Sequence, residues 1–310
     1  MRWRLSTSRT DVKPEQKISR CYTGRVGISL VRVASIGFLN PAPLMWDFEH
    51  APASVELATR YTLHSTTPAQ CAAEISNGTA DLGLVPIASY ATTPGLVIVP
   101  GCAIASLDTV RSIALVVKHP GGLKAVRTVA ADTASRSSIV YAQILFRKFF
   151  DTAPQFLPHE ANLEAMLAHA DAALLIGDPA LLALQERDER GIGKNYQWFD
   201  LAHEWRTHTG LPWVAAFWAL HPQALARCNL SAAQLTSNLQ TSRDHGIAHI
   251  EEIVREWTPR IALSAATIRD YLTRNIHYTL DDDCISALKL FFRYAAECKA
   301  LPPAPELHFL

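Results

Sequence analysis

Asn40, the serines within residues 135–138, and Gly177 with Asp178 are the residues whose types and settings suit the holding of an anion. Asn40 follows an apolar stretch, residues 31–38, in the loop Leu39-Asn40-Pro41-Ala42-Pro43-Leu44, where two prolines in three positions stop regular structure. The carboxyl end of a strand is where an open α/β sheet presents ligand-facing groups, although an Asx-turn ahead of Pro41 would also place an asparagine there. Ser135, Ser137 and Ser138, in the run Ser-Arg-Ser-Ser, precede a helical stretch that reaches residue 150. Hydroxyls and unpaired backbone N–H groups converge at such a helix start and form an anion seat; a plain N-cap is the alternative. Gly177 and Asp178 end a buried apolar run. The glycine permits close backbone approach to a ligand. Asp178 suits a helix cap ahead of Pro179 better than it suits a base, because a carboxylate beside an anion repels it.

Other chemistries lack their signatures. The chain contains no H-E-x-x-H, C-x-x-C, G-x-G-x-x-G or G-x-x-x-x-G-K-[ST], so no metal and no nucleotide cofactor is expected. Six scattered cysteines read as reduced thiols and favour a reducing, cytoplasmic compartment. With 29 basic and 29 acidic side chains, overall charge makes no case for nucleic acid or an anionic membrane as partner. No stretch approaches the ~18 uncharged apolar residues that span a bilayer, so membrane insertion is not expected. Oligomeric state is not legible. The first 32 residues carry eight basic groups against Asp11 and Glu15, a net charge of +6. Residues 1–30 are read as a basic, disordered leader or as the product of an early start codon, with a targeting peptide as the alternative.

The elements that position these residues follow from periodicity. Strands are expected at 31–38, 80–86, 96–100, 112–117, 128–131, 172–176 and 215–220. Helices are expected at 67–76, opened by Thr-Pro and closed by Asn77-Gly78, and at 137–150 and 163–170. Beyond residue 223 the pattern becomes helical, with candidates at 231–257, 264–272 and 281–298. This alternation is that of an α/β protein.

Taken in order, the motifs resemble the menaquinone-biosynthesis chorismate dehydratases of the futalosine route. They are F-L-N-x-x-P-L at 38–44, A-D-L-G-L-V-P at 80–86, V-R-S-I-A-L-V at 110–116, S-R-S-S at 135–138, A-L-L-I-G-D-P-A-L at 173–181, F-D-L-A-H-E-W at 199–205, T-G-L-P-W-V-A-A-F-W at 209–218 and I-H-Y-x-L at 276–280. The resemblance implies a two-lobed fold similar to class II periplasmic binding proteins, with a ligand cleft between the lobes. One lobe is expected at 31–111 plus 222–300 and the other at 112–221. The sister enzyme that makes dihydroxynaphthoate is a weaker match, because its first strand ends in a cysteine-containing loop. A departure from the family is Pro41, where a small or hydroxyl residue is common; another is S-R-S-S in place of S-R-T-S.

The activity implied is removal of water from chorismate, a dianion, to give 3-[(1-carboxyvinyl)oxy]benzoate. Such a substrate needs donors for two carboxylates and stabilisation of an extended enolate. On this reading Asn40 donates to the developing charge or contacts the departing hydroxyl, and Ser135–Ser138 seat a carboxylate. Ser112, where the chain enters the second lobe, turns its hydroxyl to the cleft or satisfies it on the backbone. Thr209 and Gly210 line the cleft or form its turn. No Glu/Asp/His constellation offers a base, which leaves the substrate's own enolpyruvyl carboxylate for that role. A non-catalytic receptor for a small carboxylate is the rival of another class, and it normally carries a secretory signal.

Overall fold

The computed structural model describes residues 29–310 except His119 and Ala304, so nearly all of the expected leader lies outside the described residues. Apolar runs that alternate with helices become two mixed sheets, each of five strands. The strands are β1 (Val31–Ile36), β2 (Tyr61–Thr66), β3 (Leu82–Pro86), β4 (Val97–Ser106), β5 (Ile113–Val117), β6 (Thr128–Asp132), β7 (Gln155–His159), β8 (Ala172–Ile176), β9 (Gln197–Asp200) and β10 (Trp213–Leu220). The first sheet has the order β2-β1-β3-β10-β4 and the second β7-β6-β8-β5-β9. This is the expected two-lobed α/β architecture, with each sheet forming the centre of one lobe.

Local chemistry explains the elements around the cleft. Thr67 caps the Pro68–Asn77 helix in a reciprocal capping box with Gln70, and Gly78 ends it in the left-handed region at φ 75°. That helix returns the chain to β3, which lies parallel to β1. β10 runs antiparallel to β3 and β4, pairing Ala216 with Pro86 and Phe217 with Ala103.

This pairing corrects the expected boundary at 221/222. β10 is apolar along nearly its whole length, and only a central position in a sheet buries both faces of such a strand. The chain therefore re-enters the first lobe ahead of Trp213, and the second lobe ends earlier than expected. A second correction concerns the helix expected over 231–257, which breaks at His249 (φ −109°, ψ 30°) into Ala232–Ala248 and Ile250–Trp257. Near that break Gly246 abuts the Pro43 carbonyl, where a Cβ would lie 2.0 Å from the oxygen. The helix thereby presses on the loop that carries Asn40.

Asp200 fixes the crossing between lobes. Its carboxylate accepts from the N–H groups of Ala202 (3.0 Å) and His203 (3.2 Å), capping the Leu201–Thr209 helix, and from Val110 (3.2 Å) and Arg111 (2.6 Å) on the first crossing segment. Arg111 sits at φ 61°, a conformation costly for a non-glycine residue, which the bond to Asp200 helps to hold. Burial nevertheless raises the Asp200 pKa against those four donors. Replacing Asp200 with alanine strands all four and is expected to lower stability by about 1–3 kcal/mol. Urea unfolding measures this; an unchanged midpoint would show that Asp200 does not hold the crossing.

Candidate active site

Between the sheets lies a cavity enclosing about 500 Å³ of empty space, part of it open to solvent. Its walls are apolar, built by Ile36, Phe38, Leu84, Ile104, Ile113 and Ile176 at or beside strand ends of both lobes. Polar groups are confined to Asn40, Arg136, Ser137, Ser138 and the backbone at Gly177. Among the described residues Arg136 is the single charged one in this lining, and no carboxylate contributes to it. Flat apolar walls with a cation and hydrogen-bonding groups at the edge suit a ring that carries negative charge.

Asn40 occupies the expected place. Its Oδ1 is buried without a hydrogen-bond partner, and the loop shows no Asx-turn bond from its side chain. That oxygen is an acceptor, so a ligand hydroxyl or a water completes it, while the Nδ2 hydrogens are the donors this side chain can offer to negative charge. Ser138 is buried at the start of the Ser137–Ile144 helix and lines the cavity, and no side chain caps that helix. Its hydroxyl and the helix N-terminus therefore offer donors to an anion.

Ser137 behaves differently from expectation. Its hydroxyl donates to the Ala215 carbonyl (3.1 Å) and accepts from the Ala88 N–H (3.2 Å), both in the first lobe, so it clasps the lobes together. Tyr141, one turn further, donates to the Val214 carbonyl (3.0 Å) and accepts from the Val214 N–H (3.2 Å). Its ring packs against Trp205, Trp213 and Phe291, and complete burial raises its pKa.

Other expected positions lie outside the lining. Ser112 is 1% exposed and sits behind Ile113, which reaches the cavity, because successive strand residues point to opposite faces. Its hydroxyl has no hydrogen-bond partner and faces Tyr271, which is equally buried. Ser135 is fully buried in the turn held by Asp132, its backbone N–H donating to the Asp132 carbonyl at 2.9 Å. Thr209 and Gly210 end a helix: the Thr209 hydroxyl donates to the Trp205 carbonyl (2.7 Å), and Gly210 adopts φ 73°. They form the turn ahead of β10 and do not reach the cavity. Gly177 lines it at φ 63°, with its N–H on the Ser112 carbonyl (2.7 Å) and Phe38 packed where a side chain would be. Asp178 caps no helix with its side chain; it accepts instead from the Leu39 N–H across the cleft at 3.0 Å.

Arg136, inside the serine run, is the one residue there with a full positive charge, and hydroxyl chemistry alone does not point to it. Its Nη1 donates to the Ser135 carbonyl (3.1 Å), which leaves the other guanidinium donors available. Elsewhere, the ligand atoms of His277, Asp281 and Cys284 lie within 4.8 Å of one another. These groups satisfy each other: His277 pairs with Asp281 (2.7 Å), Asp281 caps the Asp282–Glu297 helix through the Cys284 N–H (2.9 Å), and burial pushes the Cys284 thiol up to about 12.

Comparison with known proteins agrees with this geometry. A family model described as menaquinone biosynthesis matches residues 31–297. The chain is 29% identical over 253 residues to a protein of Thermus thermophilus named chorismate dehydratase, covering 78% of this chain and 88% of that one. Similar solved structures include an Archaeoglobus fulgidus protein (TM-score 0.63, 16% identity, 87% of this chain and 97% of that chain). The periplasmic aliphatic sulphonate binding protein SsuA of Escherichia coli is also similar (TM-score 0.61, 14% identity, 91% and 93%). So is a Candida albicans protein with the generic periplasmic binding protein fold (TM-score 0.63, 12% identity, 89% and 92%). Among the described residues no helix is long and apolar enough to cross a membrane.

The two neighbouring serines should separate on mutation. Ser137→Ala leaves the Ala88 N–H and the Ala215 carbonyl unpaired and is expected to cost about 1–3 kcal/mol in urea unfolding. Ser138→Ala should leave unfolding within about 0.5 kcal/mol and weaken anionic ligands instead. Equal loss of stability in both variants would contradict the division.

Proposed function

The chain belongs to the menaquinone biosynthesis family, and within it we propose that this protein is a hydro-lyase that converts chorismate to 3-[(1-carboxyvinyl)oxy]benzoate. One observation carries the reading: an apolar cavity between the lobes whose lining, among the described residues, holds one cation and the Asn40 side chain but no carboxylate. A cation and hydrogen-bonding groups, with no carboxylate among the described lining residues, favour an anionic ligand over a cationic one.

The reaction needs little from the protein beyond orientation and donors. The ring carbon bearing the ether loses its proton as electron density moves through the diene towards the ring carboxylate. The neighbouring C–O bond then breaks and the ring becomes aromatic. The proton taken up and the hydroxide released sum to water, so no outside reactant is required. The substrate's enolpyruvyl carboxylate lies beside the carbon that loses the proton and acts as the base. Arg136, Ser138 and the helix N-terminus hold a carboxylate in the ground state, while Asn40 acts on charge that grows in the transition state. The apolar walls lower the local dielectric around the ring and strengthen those hydrogen bonds.

Incubating the protein with chorismate and following loss of water by mass spectrometry tests the reaction, with metal chelator present. Asn40→Ala is expected to lower kcat by about 10²–10³ while changing affinity for the aromatic product less than tenfold. Full turnover in that variant would refute the role of Asn40. Tight product binding without turnover by the native chain would make it a receptor for a small carboxylate.

A further inference from the structure

The lobes are joined unequally around the cavity. On one side Ser137 and Tyr141 fasten the second lobe to Ala88, Val214 and Ala215, with aromatic packing behind them. On the other, the loop after β1 meets the first turn of the Gly177–Arg190 helix. The bond from the Leu39 N–H to Asp178 Oδ1 is, among the described residues, the one hydrogen bond by which residues 37–45 reach the second lobe. Beside it the Phe38 ring lies against Gly177, where a Cβ would meet ring carbons at 2.7 Å. Beyond this contact a polar groove of about 840 Å³, solvent included, is bounded by Ser35, Glu49, Ser65, Asp178 and Arg260 among others. The weak side of the cleft is therefore a single hydrogen bond and a ring packed on glycine, with water adjoining.

We infer that Asp178 is a positioning residue, a latch whose hydrogen bond to the Leu39 N–H closes the lobes at this edge and sets Asn40 into the cavity. The inference rests on the cavity being the ligand site. Leu39 itself is fully buried and Pro41 restricts the chain on the far side, so the direction of the Asn40 side chain follows from where the Leu39 peptide is held. Asp178 does not line the cavity and touches no reacting atom.

The groups that face Asp178 are few. Glu49 and Arg260 share its groove and the buried Tyr271 hydroxyl lies on its inner side, but its hydrogen bond is with Leu39. Burial pushes its carboxyl up to about 6, partly offset by that N–H. In an opened cleft the same group meets water and titrates at about 4. Closure thus takes up a proton: it is favoured fully below about pH 4, weakens as pH rises towards 6, and levels off above. A protonated carboxyl still accepts the Leu39 N–H through its carbonyl oxygen, and so does an asparagine amide.

Amide hydrogen exchange at Leu39 in the ligand-free chain reads the latch directly, without reference to turnover. In Asp178→Ala the Leu39 protection factor should fall at least tenfold, and Asp178→Asn should restore most of it. In the native chain, after correction for intrinsic exchange, protection should rise about tenfold from pH 7 to pH 5, while Asp178→Asn stays flat. Where chorismate is turned over, kcat should track Leu39 protection across the three proteins. Equal protection in all three, or an identical pH response in the native and asparagine forms, overturns the latch whether or not the protein is catalytic. The predicted exchange pattern in a chain inert towards chorismate upholds the latch and overturns the catalytic reading alone.

Discussion

Two hydroxyls that water does not reach hold the lobes in register, and the cavity depends on them. Ser137 and Tyr141 each donate to and accept from groups across the interface, four hydrogen bonds in all, and breaking any one leaves a buried polar atom unpaired. With one side of the cleft fastened in this way, the cavity is defined by how far the opposite edge closes. The Ser137–Ile144 helix is therefore both a fastening and a wall: Ser137 and Ser138 both line the cavity, but the Ser137 hydroxyl is taken by Ala88 and Ala215 of the first lobe. Adjacent helix residues point about 100° apart, so a single helix start can serve both purposes.

The cavity's electrostatics follow from what the lining leaves out. Its acids are displaced to the periphery: Asp178 sits beyond the Phe38 contact, Asp132 organises the turn ahead of the Ser137–Ile144 helix, and Asp200 holds the crossing strands. Burial raises all three pKa values, each against backbone N–H groups that favour the ionised form. On the proposed function, a dianionic ligand would meet Arg136 and hydrogen-bond donors without a carboxylate among the described lining residues. The same absence is why the base is sought within the substrate.

Much of this fold was legible because its buried strands are short apolar runs between clear breakers, as at β3, β5 and β8. The strands that periodicity missed, β2, β7 and β9, are all sheet edges. Edge strands are half-exposed and polar, as Gln155–His159 is, so they lack the signal that burial writes into a sequence. Places in the cavity lining were legible where local chemistry decides them: Asn40 at a strand end, Ser138 at a helix start and Gly177 beside a close contact. Roles were not legible where a partner distant in sequence decides them. Ser137 is taken by Ala88 and Ala215, and Asp178 by Leu39, 139 positions away. For Ser112 the sequence leaves cleft and backbone both open, because a strand boundary gives no sign of which face a residue takes. The aspartate of the F-D-L-A-H-E-W motif turned out to be a clamp on the lobe crossing.

On the proposed function an aromatic dicarboxylate lies between the two sheets with its charge at the start of the Ser137–Ile144 helix. A crystal structure of the complex with 3-[(1-carboxyvinyl)oxy]benzoate tests this most directly. The account predicts the ring between Phe38 and the isoleucine walls, one carboxylate on Ser138 and Arg136, and the Asn40 amide within hydrogen-bonding distance of the ligand. A ligand bound in another cavity, or one that reaches this cavity with Asn40 and Arg136 both turned away, would contradict it.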